Sequence, residues 1–589
     1  MISRLRLAMS AVPGPMREIA RAASLLAIIF IFHRSSLGYG LFLDDHAHYR
    51  QLQECGWSIG GLVDACRLEL VGGVADLWFL PECTLRFFRP VAFGLMRLTY
   101  VLTGWSPSAM HAASLGWHLA ASVLLMMLLR QFGGRPGVAW AVAALFAVHP
   151  GFVATVQWIA CQTELMVTTF LLAAMLCYLR SSGWSLHGEL PGRPARRWPW
   201  AVGSALCFAA ALGCRENAVM FPVVVLALEL PGLRRRWRKM LPLYAALLAM
   251  TIGYLILRSG YLGAASLPPY PYVHTPGDPG FLRFVFDKGF YYLLGEFLLA
   301  PTVPFGGLYY LRARPLLFYG LSAAVVLPLL VSLRYVRRGP GLLALAWLLG
   351  FMAPVLPAFA SPHHLYLPGA GWAIIVMFIV QAIGGANGPA VRWRRAIMWL
   401  GILLLGCCFA GLTLSFGQAI DTAQRVEDLV AAEIGGTPGL ADGDTLYVAN
   451  LPIIAHYARL AVERETGLRR LRVCVLTWAP RVLGLLGTDI QSELTWVNDR
   501  TVEFRLLGDR YFAGAMGHLV TMANGRPPAA LTPTPDRGLG FVAEVLEYDE
   551  GGVCAFRFTF DKPLTDPRVH LFWGSRVRTA CEVRPEGGE

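Results

Sequence analysis

Lysine is nearly missing from this chain. Only Lys239, Lys288 and Lys562 occur in 589 residues, so 48 of the 51 basic residues are arginine, the bias of a GC-rich and hence bacterial genome. Charge of either sign is also scarce, at 15% of residues where a soluble globular protein carries about 25%. With a mean hydropathy of +0.51, this excludes a purely soluble protein. The 61 glycines and 38 prolines have no period, which excludes a collagen-like or low-complexity chain. None of the twelve cysteines is spaced as a zinc site requires. The segment after residue 415 shows no repeat of helical-hairpin length, so it is not a repeat array.

What is present is a series of long apolar runs. They lie near 22–38, 108–129, 138–149, 157–179, 200–214, 217–230, 241–257, 315–333, 341–357, 366–384 and 396–414, eleven expected membrane spans. The formal charge of +13 does not indicate nucleic-acid binding, because the basic residues fall in short clusters between these runs. Arg130 and Arg135 form one cluster, and Arg180, Arg193, Arg196 and Arg197 the next. They are followed by Arg234, Arg235, Arg236, Arg238 and Lys239, by Arg334, Arg337 and Arg338, and by Arg392, Arg394 and Arg395. Cytoplasmic loops carry this excess. Arg4, Arg6, Arg17 and Arg21 precede the first run and no small-residue cleavage site follows it, so the first span is expected to remain, with its N-terminus inside. An odd number of spans then delivers the tail to the outer side.

These patterns give a mainly α, polytopic helical membrane domain over 1–415 and a soluble α+β domain over 416–589. Two long outer loops, 39–106 and 259–314, suggest chemistry or binding on the outer face. Within the first, 87–102 is amphipathic and interrupted by Arg89 and Arg97, as in a helix lying on the membrane surface. In the tail, 420–434 and 454–465 have helical spacing, and 445–449, 470–476, 493–497, 501–506, 541–546 and 554–560 read as strands. Cys554 and Cys581 flank predicted strands in an oxidising compartment, and a disulfide is expected between them.

Asp44 and Asp45 directly follow the first span on its outer side. A carboxylate there, partly screened from water, can take a proton from an alcohol; equally, the pair can cap the next helix. The surrounding motifs bear on this choice. Phe88-Arg89-Pro90, His149-Pro150 followed by Val156, Trp158 and Glu164, Arg215-Glu216 ahead of Pro222, and Leu365-Tyr366-Leu367-Pro368 occur in that order. Together with the acidic pair, this series over about 22–380 resembles the GT-C superfamily of membrane glycosyltransferases, most closely the branch of transmembrane protein O-mannosyltransferases and their bacterial relatives. The chain departs from that branch in having Phe152, Val153 and Ala154 where an acidic residue often follows His-Pro, in Gln162 where an Arg is frequent, and in His363 before the Tyr-Leu-Pro element.

The resemblance implies transfer of a sugar from a polyprenyl-phosphate carrier to an acceptor hydroxyl of a protein, lipid or glycan, with inversion at the anomeric carbon. It implies Asp44 as the base, with Asp45 as its helper or as ligand to a divalent cation such as Mg or Mn. Arg89, Arg215, Arg258, His149, His363 and His364 are candidates to meet the carrier phosphate; Glu164, Glu216 and Tyr366 are further site candidates. Each has an ordinary alternative: a headgroup anchor for Arg89, an internal pair for Arg215 with Glu216, and span-end or interfacial roles for the histidines. Tyr261, Tyr270, Tyr272, Tyr291, Tyr292, Tyr309 and Tyr310 would stack on sugar or form an interfacial belt. Membrane lipids are expected partners and the bacterial inner membrane the expected location. Two other functions remain open at this point: a lipid or glycan transporter or flippase, and a catalytically degenerate glycan-binding relative.

Overall fold

A computed structural model describes residues 14–69, 84–184, 198–263, 273–297, 307–332, 338–384, 391–452, 458–479, 491–508, 510–511, 540–549, 552–576 and 579–583. Arg193, Arg196, Arg197, Arg334, Arg337, Tyr270 and Tyr272 lie outside the described residues.

Each of the eleven apolar runs becomes a helix. They are α1 (Gly14–His33), then, beyond the first outer segment with α2 (Asp44–Glu54) and α3 (Pro90–Leu102), α4 (Pro107–Gln131), α5 (Pro136–Ala147), α6 (Gln162–Ser182), α7 (Trp198–Leu212), α8 (Phe221–Glu229) and α9 (Leu233–Leu262). After α10 (Phe281–Phe297) come α11 (Pro315–Ser332), α12 (Arg338–Met352), α13 (Gly369–Gly384) and α14 (Val391–Gly435). Proline opens α3, α4 and α5, where its missing N–H costs nothing and its fixed φ suits the first turn. Ser106 caps α4 by accepting from the Ala109 amide at 3.4 Å, and α6 stops at Gly183, whose φ of 63° is left-handed.

Among the described residues four helices are long and apolar enough to cross a membrane, five if the pair Pro136–Ala147 and Pro150–Gln157, bent by 48°, is one span. Leu248, Ile252, Leu255 and Ile256 on α9 and Leu400, Leu403 and Leu404 on α14 are exposed, an apolar surface that lipid tolerates and water does not. The chain has a polytopic helical membrane fold with a C-terminal α+β part. The amphipathic stretch over 87–102 forms α3 from Pro90 onward.

α14 is the link between the two parts. At 1.5 Å per residue its 45 residues extend about 65 Å, twice a bilayer core. It is apolar from Ala396 to about Leu414 and polar from there on, and this second half is the root of the tail.

Among its described residues the tail contains two four-stranded sheets and a two-residue pairing of Leu451–Pro452 with Trp478–Ala479. One is antiparallel, built from β5 (Gln491–Asn498), β6 (Thr501–Leu507), β7 (Phe541–Asp549) and β8 (Gly552–Phe560), in the order β5-β6-β8-β7. It follows two hairpin-like pairings, 491–498 with 501–507 and 541–549 with 552–560, that place Phe504, Phe556 and Phe558 in the core. The other sheet is mixed: β3 (Thr445–Ala449) lies parallel to β4 (Arg472–Val475), reached through α15 (Ala458–Thr466). β9 (Val569–Arg576) pairs parallel with β3 and antiparallel with β10 (Thr579–Val583). The short pair β1 (Arg67–Glu69) and β2 (Thr84–Arg86) belongs to the first outer segment.

The expected Cys554–Cys581 bridge is not formed. Cys554 is a free, buried thiol on β8, whereas Cys581 is on β10 of the other sheet.

Candidate functional site

The acidic pair opens α2 through a tight turn. The Asp45 amide donates to the Phe42 carbonyl at 3.0 Å, which makes Leu43 and Asp44 the central residues of a four-residue turn. Leu43 has φ 50° and ψ −123°. That is close to the first central position of a type II′ turn, a conformation that glycine adopts freely and leucine does not. Such a residue persists only where its surroundings over-determine it, at a cost of about 1–3 kcal/mol.

The two aspartates differ. Asp45 is buried, and both its carboxyl oxygens are used: Oδ1 accepts from the Ala160 amide at 2.7 Å and Oδ2 from the Phe42 amide at 3.1 Å. Burial pushes its carboxyl well above the usual carboxylate range, the two amides pull it back, and Asp44 and Glu427 add to the rise. Asp44, in the first turn of the same helix, is only half-buried. The helix N-terminus favours an anion at both positions.

From Ala160 the backbone runs directly into α6, where Thr163 and Glu164 face Arg215. Its Nε lies 2.9 Å from Glu164 Oε1, and its Nη1 donates to Thr163 Oγ1 at 3.1 Å. Glu216 takes a different partner: Arg89 donates to its Oε2 through Nη2 at 2.9 Å and Nε at 3.1 Å, and the Phe88 amide reaches its Oε1 at 3.4 Å. The internal Arg215–Glu216 pair considered from sequence is therefore replaced by two crossed pairs. Arg215 is extended, with φ −162° and ψ 145°, so successive side chains leave the backbone on opposite sides.

The pairs and the carboxylates share one neighbourhood. Cys161 is within electrostatic reach of Asp44, Asp45, Glu164 and Arg215, and His48, one turn into α2, feels Arg89. Burial and that arginine pull His48 down to about 4. Arg258 on α9 joins from another side: Tyr254, whose ring meets Phe88 at 5.6 Å, feels Glu216, Arg258 and Arg89. Arg258 Nε is buried with no hydrogen-bond partner among the described residues.

His363 and His364 follow Ser361 on a short turn before α13. His363 is half-buried, bonded through Nδ1 to Ser361 Oγ at 2.7 Å, and its ring lies 6.3 Å from Trp158. His364 Nδ1 meets the Tyr292 hydroxyl at 2.8 Å. Burial first, then the nearby positive charge of Arg215, Arg89 and Lys288, holds His363 well below its ordinary value. Burial, then His363 and the same three cations, hold His364 well below its ordinary value too. Both histidines act here as hydrogen-bonding groups.

His149 and Tyr366 are part of the scaffold. His149 Nδ1 accepts from the Gly151 amide at 3.2 Å, Nε2 lies 3.2 Å from the Glu296 carbonyl, and the ring stacks on Phe152 at 4.4 Å. The Tyr366 hydroxyl is bonded to His118 Nδ1 at 2.7 Å, within rings from Phe146 and Phe152. Of the tyrosines, Tyr291 and Tyr292 are buried and Tyr261 is exposed beside Phe88.

Trp158 belongs to the His-Pro motif, whereas Lys288 and Glu427 are not marked as site residues by any motif. Trp158 donates from Nε1 to the Phe42 carbonyl at 3.1 Å, and Lys288 is buried with its ammonium on the carbonyls of Val355, Ala358 and Phe359. Glu427 on α14 accepts from the Leu43 amide at 3.2 Å. A buried lysine beside an otherwise apolar helix gives a sequence signal; Glu427, 384 positions from its partner, gives none.

Both Asp45 oxygens are engaged by amides, and no cluster of three His, Cys, Asp or Glu side chains that could hold a metal occurs among the described residues.

No family model matches the chain. Similar curated sequences include the mouse (Mus musculus) protein O-mannosyl-transferase TMTC3, 32% identical over 111 residues, which are 18% of this chain and 12% of that protein. The human (Homo sapiens) TMTC2 is 26% identical over 141 residues, 24% of this chain and 15% of that protein. Tmtc1 of Drosophila melanogaster is 27% identical over 207 residues, 34% of this chain and 22% of that protein. The chain thus spans less than a quarter of the length of these relatives. Among solved structures, ArnT from Cupriavidus metallidurans bound to undecaprenyl phosphate aligns over 78% of this chain and 86% of that one, at 16% identity and TM-score 0.41. Archaeal oligosaccharyltransferase AglB from Archaeoglobus fulgidus, in complex with an inhibitory peptide and a dolichol-phosphate, covers 78% of this chain and 64% of that one at 12% identity and TM-score 0.42. The chain is accordingly similar, over 18% to 34% of its length, to the protein O-mannosyl-transferases, the branch that its acidic pair and ordered motifs resemble.

Proposed function

We propose that the chain is a membrane glycosyltransferase that moves a sugar from a polyprenyl-phosphate carrier to an acceptor hydroxyl on the extracytoplasmic face. The observation that carries this reading is the unequal acidic pair. Asp45 is locked between two amides, while its neighbour Asp44 is half-buried at a helix N-terminus. The similarity to protein O-mannosyl-transferases supports the same reaction class.

In this reading Asp44 accepts the proton of the acceptor hydroxyl as that oxygen forms its bond to the anomeric carbon. The bond from that carbon to the carrier phosphate breaks, and its electron pair leaves with the phosphate, so the configuration inverts. Asp45 positions the turn. The departing phosphate needs positive charge placed before the reaction. Arg258 suits this best because Arg89 and Arg215 already carry carboxylate partners, and a guanidinium is permanently charged and forked. His363 and His364 contribute hydrogen bonds. The division at about 415/416, the outer placement of the tail and a bacterial inner-membrane location complete the proposal.

The test is mass spectrometry of envelope glycans and glycoproteins in cells with and without the gene. A sugar lost with the gene and restored by wild type, but not by Asp44→Asn, is the expected result. An unchanged glycan profile, together with no transfer by purified protein from mannosyl or other hexosyl polyprenyl phosphates, would reject it.

A further inference from the structure

The segment that carries the acidic pair lies along the root of the tail. The Tyr39 hydroxyl donates to the Gly417 carbonyl at 3.0 Å, and a Cβ placed on Gly40 would stand 2.9 Å from Gln424 Nε2. Leu43 packs with Ala423 and Val426, flanked by Phe42 and Trp158. The series ends at Glu427, fully buried, whose Oε2 accepts from the Leu43 amide at 3.2 Å and whose Oε1 lies 3.5 Å from His46 Nε2. One turn further into α2, Ala47 belongs to the apolar core of the tail, and Arg50 donates to Glu463 of α15 at 2.8 Å. The acidic pair is thus held from the tail side as well as from α6.

Leu43 is the residue with a glycine-type backbone, and the Asp44 carboxylate follows from its φ and ψ. A leucine reaches φ 50° only against a steric penalty, so something must hold it. The only side-chain acceptor given to its amide among the described residues is Glu427. We propose that Glu427 is a positioning residue: by binding the Leu43 amide it fixes the turn that aims Asp44, so that the tail's root helix is part of the site. This rests on the reading of Asp44 as the base. The tail is then a brace for the acidic turn, and its removal would reach the chemistry.

The test uses the full-length protein in nanodiscs and three variants: Glu427→Ala, Glu427→Gln, and Glu427→Ala combined with Leu43→Gly. Hydrogen exchange at the Leu43 amide reports the tether without reference to activity, and kcat and KM for sugar transfer report its consequence. For Glu427→Ala we expect faster exchange and a kcat lower by about tenfold or more, with donor KM nearly unchanged, because misplacing a reacting group costs turnover. Glu427→Gln keeps an acceptor oxygen and should recover most of kcat. Leu43→Gly should restore kcat to the Glu427→Ala protein, since glycine adopts the turn unaided. A purely structural role predicts no such rescue.

The proposal is overturned if Glu427→Ala keeps wild-type kcat, if Glu427→Gln falls as far as Ala, or if Leu43→Gly rescues nothing. Should Glu427→Ala alone fail to fold, the double variant decides: Glu427→Ala with Leu43→Gly that folds and transfers sugar supports the tether, and one that fails as the single variant does overturns it. Asp44→Asn is run beside them. If it transfers sugar normally, the base reading fails by itself, and unchanged exchange at Leu43 in Glu427→Ala would separately reject the tether.

Discussion

Arg215 and Glu164 face each other at 2.9 Å with both side chains almost wholly buried. A buried pair is expensive to break from one side, because the partner left behind has neither water nor counter-charge. Arg215→Ala or Glu164→Ala should each destabilise by about 3–5 kcal/mol, whereas the double variant with both changes should cost less than the sum of the single ones. Unfolding midpoints of the four proteins in detergent check this. Strict additivity would mean that the two charges are not coupled.

The crossed pairing shows where the sequence stops being informative. Arg215 and Glu216 are adjacent in the chain, and adjacency invites a local pair, but extended backbone at Arg215 turns them to opposite sides. Only the tertiary fold brings Glu164 and Arg89 to them. The helices were legible because each apolar run is a property of its own residues, and β3 was read at its observed bounds, 445–449, for the same reason. β9 and β10 were not read as strands. β9 contains Gly574 and the polar residues His570 and Ser575, and its pairing comes from β3, more than a hundred positions earlier. Of the site, Asp44 and Asp45 are legible as a pair, but their inequality is not, because it depends on the Ala160 amide and on burial.

Asp45 supplies a dependence on pH. Burial raises its carboxyl in the folded state, so between the ordinary value near about 3.9 and the raised one the folded protein binds more protons than the unfolded chain. Stability contributed by this group is therefore present at low pH and is lost as pH rises through that interval. Asp45→Asn removes the titration. Thermal midpoints of wild type and Asp45→Asn, measured from pH 4 upward, should converge or cross as pH rises; curves that stay parallel would remove Asp45 as the source.

Arg258 should act on the donor. Its Nε is buried and without a hydrogen-bond partner among the described residues, unlike the paired Arg89 and Arg215. Arg258→Ala should raise KM for the polyprenyl-phosphate sugar, with a smaller rise for Arg258→Lys if charge matters more than the forked geometry. Donor titrations of the purified variants decide. Equal KM for all three proteins would move the phosphate contact elsewhere.

Orientation follows from the basic loops. Reporters fused after Arg236 and after Arg395 should read cytoplasmic, and one fused after Gly443 should read extracytoplasmic. The last fusion matters most, because Gly443 lies just beyond α14, between the membrane part and the first strand of the tail. A cytoplasmic signal there would change the parity of the spans and place Asp44 on the other face.

Asp44→Asn is the direct trial of the chemistry. The exchange keeps nearly the same volume and leaves the Asp45 bonds to Ala160 and Phe42 in place. What is lost is the anion that takes the acceptor's proton. General-base catalysis contributes about a hundredfold to ten-thousandfold, and the loss should appear in kcat with donor KM little changed, the signature of an interaction made in the transition state. Asp45→Asn should cost less turnover and more stability, because Asp45 works through the backbone it holds. The measurement is sugar transfer by variants matched for membrane expression and thermal midpoint. Asp44→Asn activity within a factor of about two of wild type, far below the expected base effect, would end the assignment of Asp44 and leave the acidic pair as a cap on α2.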